Sequence, residues 1–384
     1  SSHLGQQGAF TSRRPSVERE LDAARAAIRR AARLHRGSNA SSAPGRWFRG
    51  DDVDYALLAR VYRNPAAFHR SYVEMERRFK VYVYTEGEPP ILHAGPCKNI
   101  YTIEGRFIEQ LELLAPPAAG VRTWDPDRAH AFFLPFSVVQ MGPDASKGDP
   151  ELYANGIRAL CNANTSEGFR PGKDVSIPEI NLYDGDTPRQ LLGPSPGLSA
   201  RPYLAFFAGG RHGHVRDLLL RHWKGRDPAT FPVYEYDLPS TTGNGNSSGS
   251  HNRRGRDRQS DYFAYMHRSR FCLCPSGHEV ASPRVVEAIH AGCVPVLVSG
   301  GYAPPFADVL RWESFSVSVP VADIPRLKEV LEGIPTAEVE RLRDGVRLVK
   351  RHFTLRQPPE RLDMFHMILH SVWLRRLNFR LDHY

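Results

Sequence analysis

Cysteine is scarce in this sequence, and its scarcity excludes two classes of cross-linked protein. The 384 residues include 5 cysteines, which are Cys97, Cys161, Cys272, Cys274 and Cys293. They are too few and too scattered for a disulfide framework or for a zinc site of four thiolates. Cys272 and Cys274 alternate along an apparent strand, so both are expected to face the same buried layer. A single bridge between Cys97 and Cys161 stays open.

Long apolar runs are missing as well. No stretch approaches the roughly 20 apolar residues that a helix needs to cross a bilayer. The sequence opens with Ser1, and we expect an N-terminal anchor or signal to lie outside it. N-x-S sequons occur at Asn39, Asn164 and Asn246, each in a polar segment where glycosylation is sterically allowed. These sequons mildly favour the secretory route.

Positive charge is in excess. The formal net charge is +9, which favours an anionic partner such as a nucleic acid, a membrane surface, a polyanionic glycan or a nucleotide phosphate. The basic residues form no stripe with interleaved aromatics, and no nucleic-acid motif is present. We therefore expect no nucleic-acid partner.

The length and composition, 41% hydrophobic and 24% charged, are those of a globular protein with two cores. We divide the chain into residues 1–46 as a stalk and linker, largely disordered or helical, residues 47–200 as an N-terminal domain, residues 201–345 as a C-terminal domain, and residues 346–384 as helices that pack back on the domains. Within the first part, Val17–Arg36 carries helix formers with a narrow apolar stripe, which predicts a helix outside the core.

Short apolar runs mark the predicted strands. They are KVYVY at Lys80–Tyr84, AFFLPF at Ala131–Phe136 and YLAFFA at Tyr203–Ala208. The aromatic residues of these runs that are expected in the core are Phe132, Phe133, Phe206 and Phe207. Helical patterns occupy Phe107–Leu114, the VRDLLLRHWKGR stretch from Val215 and the segment Ala337–Leu377, while Thr241–Asp257 is polar and Gly-rich and predicts a surface loop.

One stretch, FCLCPSGHEVASPRVVEAIHAGCVPVLVSGG from Phe271 to Gly301, predicts a compact ligand-binding unit. Its two apolar runs are parallel strands, and between them Pro283–Ala291 is a helix with Ser282 as N-cap and Gly292 as a left-handed stop. In such units a ligand lies beyond the carboxyl ends of the strands, where the helix start offers free N–H groups to a phosphate.

The position of each side chain in this loop and helix then suggests which part of a ligand it contacts. Gly277 lets the backbone approach a ligand, and Arg284 in the first helical turn is expected to bind a diphosphate. Glu287, one turn further, is placed to accept both hydroxyls of a ribose, and Glu279 to meet the sugar carried on the diphosphate. The remaining candidates are Ser276 and Ser282, which offer hydroxyls, and His278, either a phosphate or hydroxyl ligand or a solvent-facing side chain.

The spacing E279-VASPRVV-E287 followed by AGCVPVLVS resembles the E-x7-E region of GT-B glycosyltransferases. The whole stretch is similar to the signature of the exostosin-like family 47 glycosyltransferases of plants. Other stretches agree, among them KVYVY, GPCKNIYTIEGRFIEQLE, WDPDRAHAFFLPFS, CNANTSEGF and RPYLAFFAGGRHGHVRDLLLRHWK. The resemblance runs from about Asp54 to Leu377.

The resemblance implies an α/β fold of GT-B type, with two Rossmann-like domains facing a cleft, the first of them binding the acceptor. It places Gly209, Gly210, Arg211 and Arg216 on the second wall of a donor diphosphate site. It further implies a UDP-sugar donor, no cofactor and no metal, with Glu279 as the catalytic candidate. The acceptor would be a cell-wall or matrix polysaccharide, met in the Golgi lumen by a membrane-anchored enzyme or glycosyltransferase complex.

The sequence departs from this family after the FFLPFS run. Where relatives continue with further helices and with Arg-Ser-Gly-Gly and His-Asp-Trp-Gly-Pro runs, this chain passes directly from Met141 to Gly142. A block of the N-terminal domain is therefore expected to be missing, together with a His-Asp pair suited to general-base catalysis. The alternative to a glycosyltransferase is thus a non-catalytic subunit that binds UDP or glycan.

Overall fold

The computed structural model describes residues 14–37, 59–84, 102–113, 120–135, 155–182, 187–241 and 251–378. The protein is a mixed α/β molecule whose sheets are parallel. Its first elements are α1 (Arg14–Gly37), α2 (Pro65–Arg78), β1 (Val81–Val83), α3 (Ile103–Leu113), β2 (Arg122–Thr123) and β3 (Ala131–Phe133). β1 pairs in parallel with both β2 and β3, which gives the order β2-β1-β3. The predicted strands at KVYVY and AFFLPF and the helix around Phe107 are confirmed.

The exposed face of this sheet corrects one prediction. Phe132 is 52% exposed, although it was expected in the core with Phe206 and Phe207, which are buried. Successive side chains of a strand point to opposite faces, and Ala131 and Phe133 take the face that packs on the core. Phe132 lies on the other face, where its ring contacts those of Tyr82 and Tyr84.

Helix α1 was predicted to stand apart from the core, and this is wrong. Leu21, Ala24 and Ile28 are fully buried, and they belong to the same hydrophobic cluster as α2 and the last helix of the chain. The apolar stripe that looked narrow in sequence suffices because Ala residues let α1 lie close to α2. The Arg25 guanidinium also donates to the Leu377 carbonyl, at 2.8 Å.

A short parallel pair, β4 (Ala159–Leu160) with β5 (Val175–Ser176), follows. The intervening sequon is not accessible, because Asn164 is only 6% exposed and its side-chain oxygen accepts from the Ser166 amide at 3.1 Å. Glycosylation of Asn164 in the folded protein is therefore excluded. Asn39 and Asn246 lie outside the described residues.

The second large sheet has five parallel strands in the order β10-β9-β8-β6-β7. The remaining elements are α4 (Arg189–Leu192), β6 (Tyr203–Ala208), α5 (His214–Trp223), β7 (Val233–Tyr234), α6 (His251–His267), β8 (Ser269–Pro275), α7 (Arg284–Ala291), β9 (Val294–Val298), β10 (Val317–Ser318), α8 (Leu327–Glu332), α9 (Thr336–Val349) and α10 (Met364–Arg376). The predicted strand–loop–helix–strand unit is therefore present as β8, α7 and β9.

The boundaries of α7 differ slightly from the prediction. The helix begins at Arg284, with Pro283 as the flanking residue, and no side chain caps it at that position. The Ser282 hydroxyl still accepts from the Arg284 amide, at 3.4 Å. Gly292 ends the helix in the left-handed conformation, at φ 64°, as predicted.

A disulfide joins Cys272 to Cys293, a pairing the sequence interpretation missed. The bridge connects β8 to the residue that precedes β9, so it ties both ends of the unit that carries α7. Cys161 and Cys274 are free thiols, and Cys97 lies outside the described residues. Cys272 and Cys274 are both buried, on the face of β8 opposite Phe271 and Leu273.

The polar segment Thr241–Asp257 is not entirely a loop. Helix α6 already begins at His251, because the run HNRRGRDRQSDYFAYMH continues without a proline into a buried aromatic half. Residues 242–250 lie outside the described part of the chain.

The C-terminal segment folds as helices, as predicted. Its last helix, α10, packs on the N-terminal elements, with Phe365 in ring contact with Phe107 and Arg375 donating to the Asp174 carbonyl at 3.0 Å. One hydrophobic cluster runs from α1 to α10 and reaches Val285 of α7. The domain boundaries proposed from the sequence stay predictions. Among the helices described, none is long and apolar enough to span a membrane.

Candidate active site

A cleft of about 750 Å³ opens beyond the carboxyl ends of β6, β7 and β8. It receives the loops that follow these strands, the first turn of α7, one side of α6 and the segment after β5. Its lining residues include Glu179, Asn181, Gly209, Gly210, His212, Arg216, Glu235, Tyr236, Arg258, Gln259, Tyr262, Gly277, His278, Glu279, Arg284 and Glu287. The cleft thus lies where a parallel sheet is expected to bind its ligand.

Arg284 is held at the start of α7 by the two elements beside it. Its Nη2 donates to the Ala208 carbonyl at the end of β6, at 3.0 Å, and its Nη1 to the Ser282 hydroxyl at 3.3 Å. Its guanidinium carbon lies 5.1 Å from the centre of the Phe207 ring. Arg284 Nε is buried and finds no hydrogen-bond acceptor among the described residues. A fixed cation at a helix N-terminus is a strong anion site.

Arg216 supplies a second positive charge from the first turn of α5. It is only 8% exposed, and its Nε lies 3.4 Å from the Pro275 carbonyl. A side chain at Gly277 would meet the Arg216 guanidinium carbon at 3.0 Å. The missing side chain at Gly277 therefore makes room for Arg216, and Gly277 itself lines the cleft; its approach to a ligand stays a prediction.

A second glycine brings the two loops together. Gly213 has a φ of +83°, and a Cβ there would overlap the Gly277 carbonyl. Gly209 behaves similarly, because its Cβ would overlap the Arg284 guanidinium. Glycine is needed at these positions so that the loops after β6 and β8 can form one continuous wall.

Glu287 faces the cleft one turn into α7. The residue is 6% exposed, and its Oε2 accepts from the Tyr262 hydroxyl of α6 at 2.8 Å. A buried carboxylate that is oriented by a tyrosine and borders a cleft is suited to accept the hydroxyls of a polar ligand.

Three predicted residues are not brought into the lining. Arg211 forms ion pairs with Asp217 at 2.8 Å and Glu235 at 3.4 Å. Ser276 is buried, and its amide donates to the Val298 carbonyl at 3.1 Å. Ser282 is also buried and acts on Arg284 as described. The two serines therefore shape the loop and the arginine instead of facing the cleft.

His278 and Glu279 lie at the rim, on the loop between β8 and α7. His278 is exposed, with its ring centre 5.9 Å from that of His212. Arg216 and His278 both lower the pKa of His212, after burial as the largest cause. The neutral imidazole is therefore favoured at His212, next to two fixed cations.

Sequence reasoning missed Glu179 and Asn181. Both follow β5 and line the cleft across from α7. Burial, followed by the nearby Glu279 carboxylate, raises the pKa of Glu179 to about 8. The available signal was an acidic residue between Ile177 and Ile180, in an otherwise apolar run. The aromatic side of the cleft, formed by Tyr236 and Tyr262, was missed too.

The sequence matches the exostosin GT47 domain over residues 140–334, which includes every element that lines the cleft. The chain belongs to the exostosin GT47 family. Two Arabidopsis thaliana proteins named as probable glycosyltransferases are similar to it. One is 47% identical over 380 residues, covering 86% of this chain and 68% of the relative. The other is 43% identical over 418 residues, covering 96% of this chain and 80% of the relative.

Animal members of this exostosin family are more distant. Exostosin-1 of Bos taurus is 30% identical over 212 residues, which cover 50% of this chain and 26% of the relative. With the domain match and the plant relatives, this similarity makes the chain an exostosin-like glycosyltransferase.

The alignments also bear on the length of this family member. An alignment of 380 residues is longer than the 86% of a 384-residue chain that it covers. The plant relative therefore has residues for which this chain has no counterpart. Their location, predicted after Met141, stays a prediction.

Proposed function

We propose that this glycosyltransferase moves a sugar from a UDP-sugar to a hydroxyl of a cell-wall or matrix polysaccharide, with inversion at the anomeric carbon. The observation that carries the proposal is the meeting of Arg284, Arg216 and Glu287 at the start of α7, in one cleft. These groups match two parts of a ribonucleoside diphosphate, the anionic diphosphate and the ribose diol.

In this proposal the diphosphate lies on the N-terminus of α7, between Arg284 and Arg216. The ribose hydroxyls donate to Glu287, and the base extends towards Tyr236, which is 66% exposed beside the cleft. The sugar extends in the other direction, towards Glu279. Because two arginines and a helix dipole compensate the charge of the leaving diphosphate, we propose that no metal is required.

The cellular setting is proposed on two grounds. A buried disulfide between Cys272 and Cys293 is typical of proteins that fold in an oxidising compartment. The family resemblance adds the Golgi lumen, a membrane anchor and partner subunits in a glycosyltransferase complex. The anchor is proposed to lie outside this sequence.

The alternative is a non-catalytic subunit that binds UDP or glycan with an incomplete acceptor side. It is the less favoured reading, because the plant relatives are named as glycosyltransferases.

One experiment separates the glycosyltransferase from the non-catalytic subunit. It measures transfer from a panel of UDP-sugars to matrix polysaccharides, both as released UDP and as labelled polymer. We expect acceptor-dependent transfer from at least one donor, with the same rate in the presence of EDTA. UDP binding without transfer from any donor would favour the non-catalytic reading, and loss of activity in EDTA would contradict metal independence.

A further inference from the structure

We propose that Glu179 is the general base that removes the proton from the acceptor hydroxyl. The proposal rests on the proposed sugar transfer and gives that reaction the base that the sequence lacked. It assigns the role to a residue of the N-terminal half, 100 positions before the first glutamate of the E-x7-E motif.

The first ground is burial without a partner. Glu179 is 4% exposed, and its Oε2 accepts no hydrogen bond from any residue that the structure describes. Other carboxylates of the cleft are engaged, since Glu287 receives the Tyr262 hydroxyl and Glu235 pairs with Lys224 at 3.2 Å. A buried oxygen without a donor is costly and calls for an explanation.

The second ground is the neighbour of Glu179 in the same cleft. Asn181 Oδ1 is also buried and, within the described part of the chain, has no donor. Both side chains line the cleft, and the Asn181 amide oxygen and an ionised Glu179 carboxylate both accept hydrogen bonds. The group that would satisfy them is a hydrogen-bond donor supplied from outside, and a sugar presents several hydroxyl donors.

The third ground is the way the segment is anchored. Ile177 and Ile180, on either side of Glu179, are buried in the main hydrophobic cluster. On the facing loop, the Val280 amide donates to the Asn162 side chain at 2.9 Å. The backbone on both sides of the cleft is thus fixed, as a catalytic carboxylate requires.

The charges around Glu179 suit proton transfer. Burial, Glu279 and Glu287 raise its pKa, and Arg216 and Arg284 lower it, which leaves the pKa at about 8. Two neutral groups also face it, Cys161 and Tyr302, and burial raises the pKa of each. A base with a pKa near the working pH combines a useful ionised fraction with a strong tendency to take the proton.

The proposed reaction is a single displacement at the anomeric carbon of the donor sugar. The acceptor oxygen forms a bond to the anomeric carbon with a lone pair, and the bond from that carbon to the diphosphate oxygen breaks with its electrons leaving on UDP. The hydroxyl proton passes to Glu179 and later to solvent. Glu279 keeps its proposed contact with the donor sugar.

The test compares wild type with Glu179→Gln, which keeps the shape of the side chain but cannot take a proton. For wild type we expect kcat, measured as UDP release from the UDP-sugar it uses best, to rise with pH and to level off above about pH 8. In Glu179→Gln we expect kcat to fall by about 10²–10⁴-fold and the rise with pH to disappear. UDP affinity, measured by calorimetry, should be equal or tighter, because a carboxylate near the diphosphate is removed.

Glu179→Asp and Glu338→Gln complete the design. The aspartate is expected to retain part of the rate and the pH-dependent rise, and Glu338→Gln to behave like wild type, because that carboxylate pairs with Arg341 on α9, outside the cleft lining. If Glu179→Gln keeps the wild-type kcat and pH profile, or loses UDP affinity as strongly as kcat, the assignment of the base is overturned. A wild type that turns over no UDP-sugar would overturn the proposed function, and this inference with it.

Discussion

At the scale of single residues, ligand binding in the cleft depends on which atoms remain available there. Glu287 Oε2 already accepts from Tyr262, which orients the carboxylate. Arg284 uses two of its nitrogens on Ala208 and Ser282. Each side chain is thus oriented by the protein before a ligand arrives, so little ordering is required on binding.

Glu287 yields a prediction about the ribose. We expect wild type to prefer UDP over 2′-deoxy-UDP by about tenfold or more, since a hydrogen bond to a charged group contributes about 1.5–3 kcal/mol. Glu287→Ala should bind UDP more weakly and lose this preference. Tyr262→Phe is the control, because it removes only the hydroxyl that orients the carboxylate. A Glu287→Ala variant that still prefers UDP would place the ribose elsewhere.

Glu179 yields a prediction about stability and pH. Its pKa is raised from 4.5 to about 8 in the folded protein, so the carboxyl group favours folding fully below pH 4.5 and loses this contribution as pH rises to about 8. Glu179→Gln should therefore gain stability over wild type, by at most about 1.4 kcal/mol per pH unit between these values, and no further above them. Denaturant unfolding at several pH values measures the difference. A constant difference would mean that Glu179 ionises in the fold as it does in the unfolded chain.

The cleft residues that local sequence signals predicted are those on one motif, while Gly209, Gly210 and Arg216 followed from the family resemblance. Arg284 and Glu287 lie on a helix whose start and stop the sequence marks, so their distance from the strand ends followed directly. Glu179 could not be found this way, because it reaches the cleft through long-range packing of a segment without regular structure. Arg211 was assigned to the diphosphate site because of its neighbours in sequence. In the structure it forms ion pairs with Asp217 and Glu235 instead.

At the scale of elements, the site depends on the contact between two loops. Gly213 and Gly277 let the loops after β6 and β8 meet, and the disulfide between Cys272 and Cys293 holds β8 to the far end of α7. The sequence indicated β8, α7 and β9 because Ser-Pro, Gly and the apolar runs are local signals. It did not indicate the bridge, since the two cysteines are 21 residues apart and become neighbours only when β8 and β9 pair.

Gly213→Ala tests this loop contact. The new Cβ would combine a positive φ with overlap on the Gly277 carbonyl, and we expect a loss of about 1–3 kcal/mol in stability together with weaker UDP binding. Gly225→Ala is the matched control, because Gly225 has a φ of +70° but nothing within 4 Å of the added carbon. Equal effects of the two substitutions, with UDP binding intact, would show that the loop contact is not needed for the site.

At the scale of the whole molecule, one core connects the first described helix to the last. The hydrophobic cluster contains Ile28 of α1, Phe68 of α2 and Trp373 of α10. The sequence favoured a stalk because α1 is rich in Ala and charge, and only the fit of those small residues against α2 reveals its place. Strands β1, β3, β6, β8 and β9 and the C-terminal helices were predictable, since their apolar runs have the right length and period.

Ile28→Ala distinguishes a core helix from a stalk. We expect a loss of about 2–4 kcal/mol in the free energy of unfolding, because a buried branched side chain is replaced by a cavity. Arg30→Ala, on the exposed side of the same helix, is the control and should change stability by less than about 0.5 kcal/mol. If both variants unfold like wild type, α1 does not belong to the core in solution.

The central claim is that a uridine diphosphate binds at the start of α7, and calorimetric titration of UDP tests it most directly. We expect wild type to bind UDP and Arg284→Ala to bind it about 10–100-fold more weakly, because the charged hydrogen bonds from Arg284 are lost. Arg221→Ala, which removes an exposed arginine of α5 paired with Asp217 at 2.6 Å, should bind like wild type. Equal UDP affinity in wild type and a folded Arg284→Ala variant, or no UDP binding by wild type, would contradict the account.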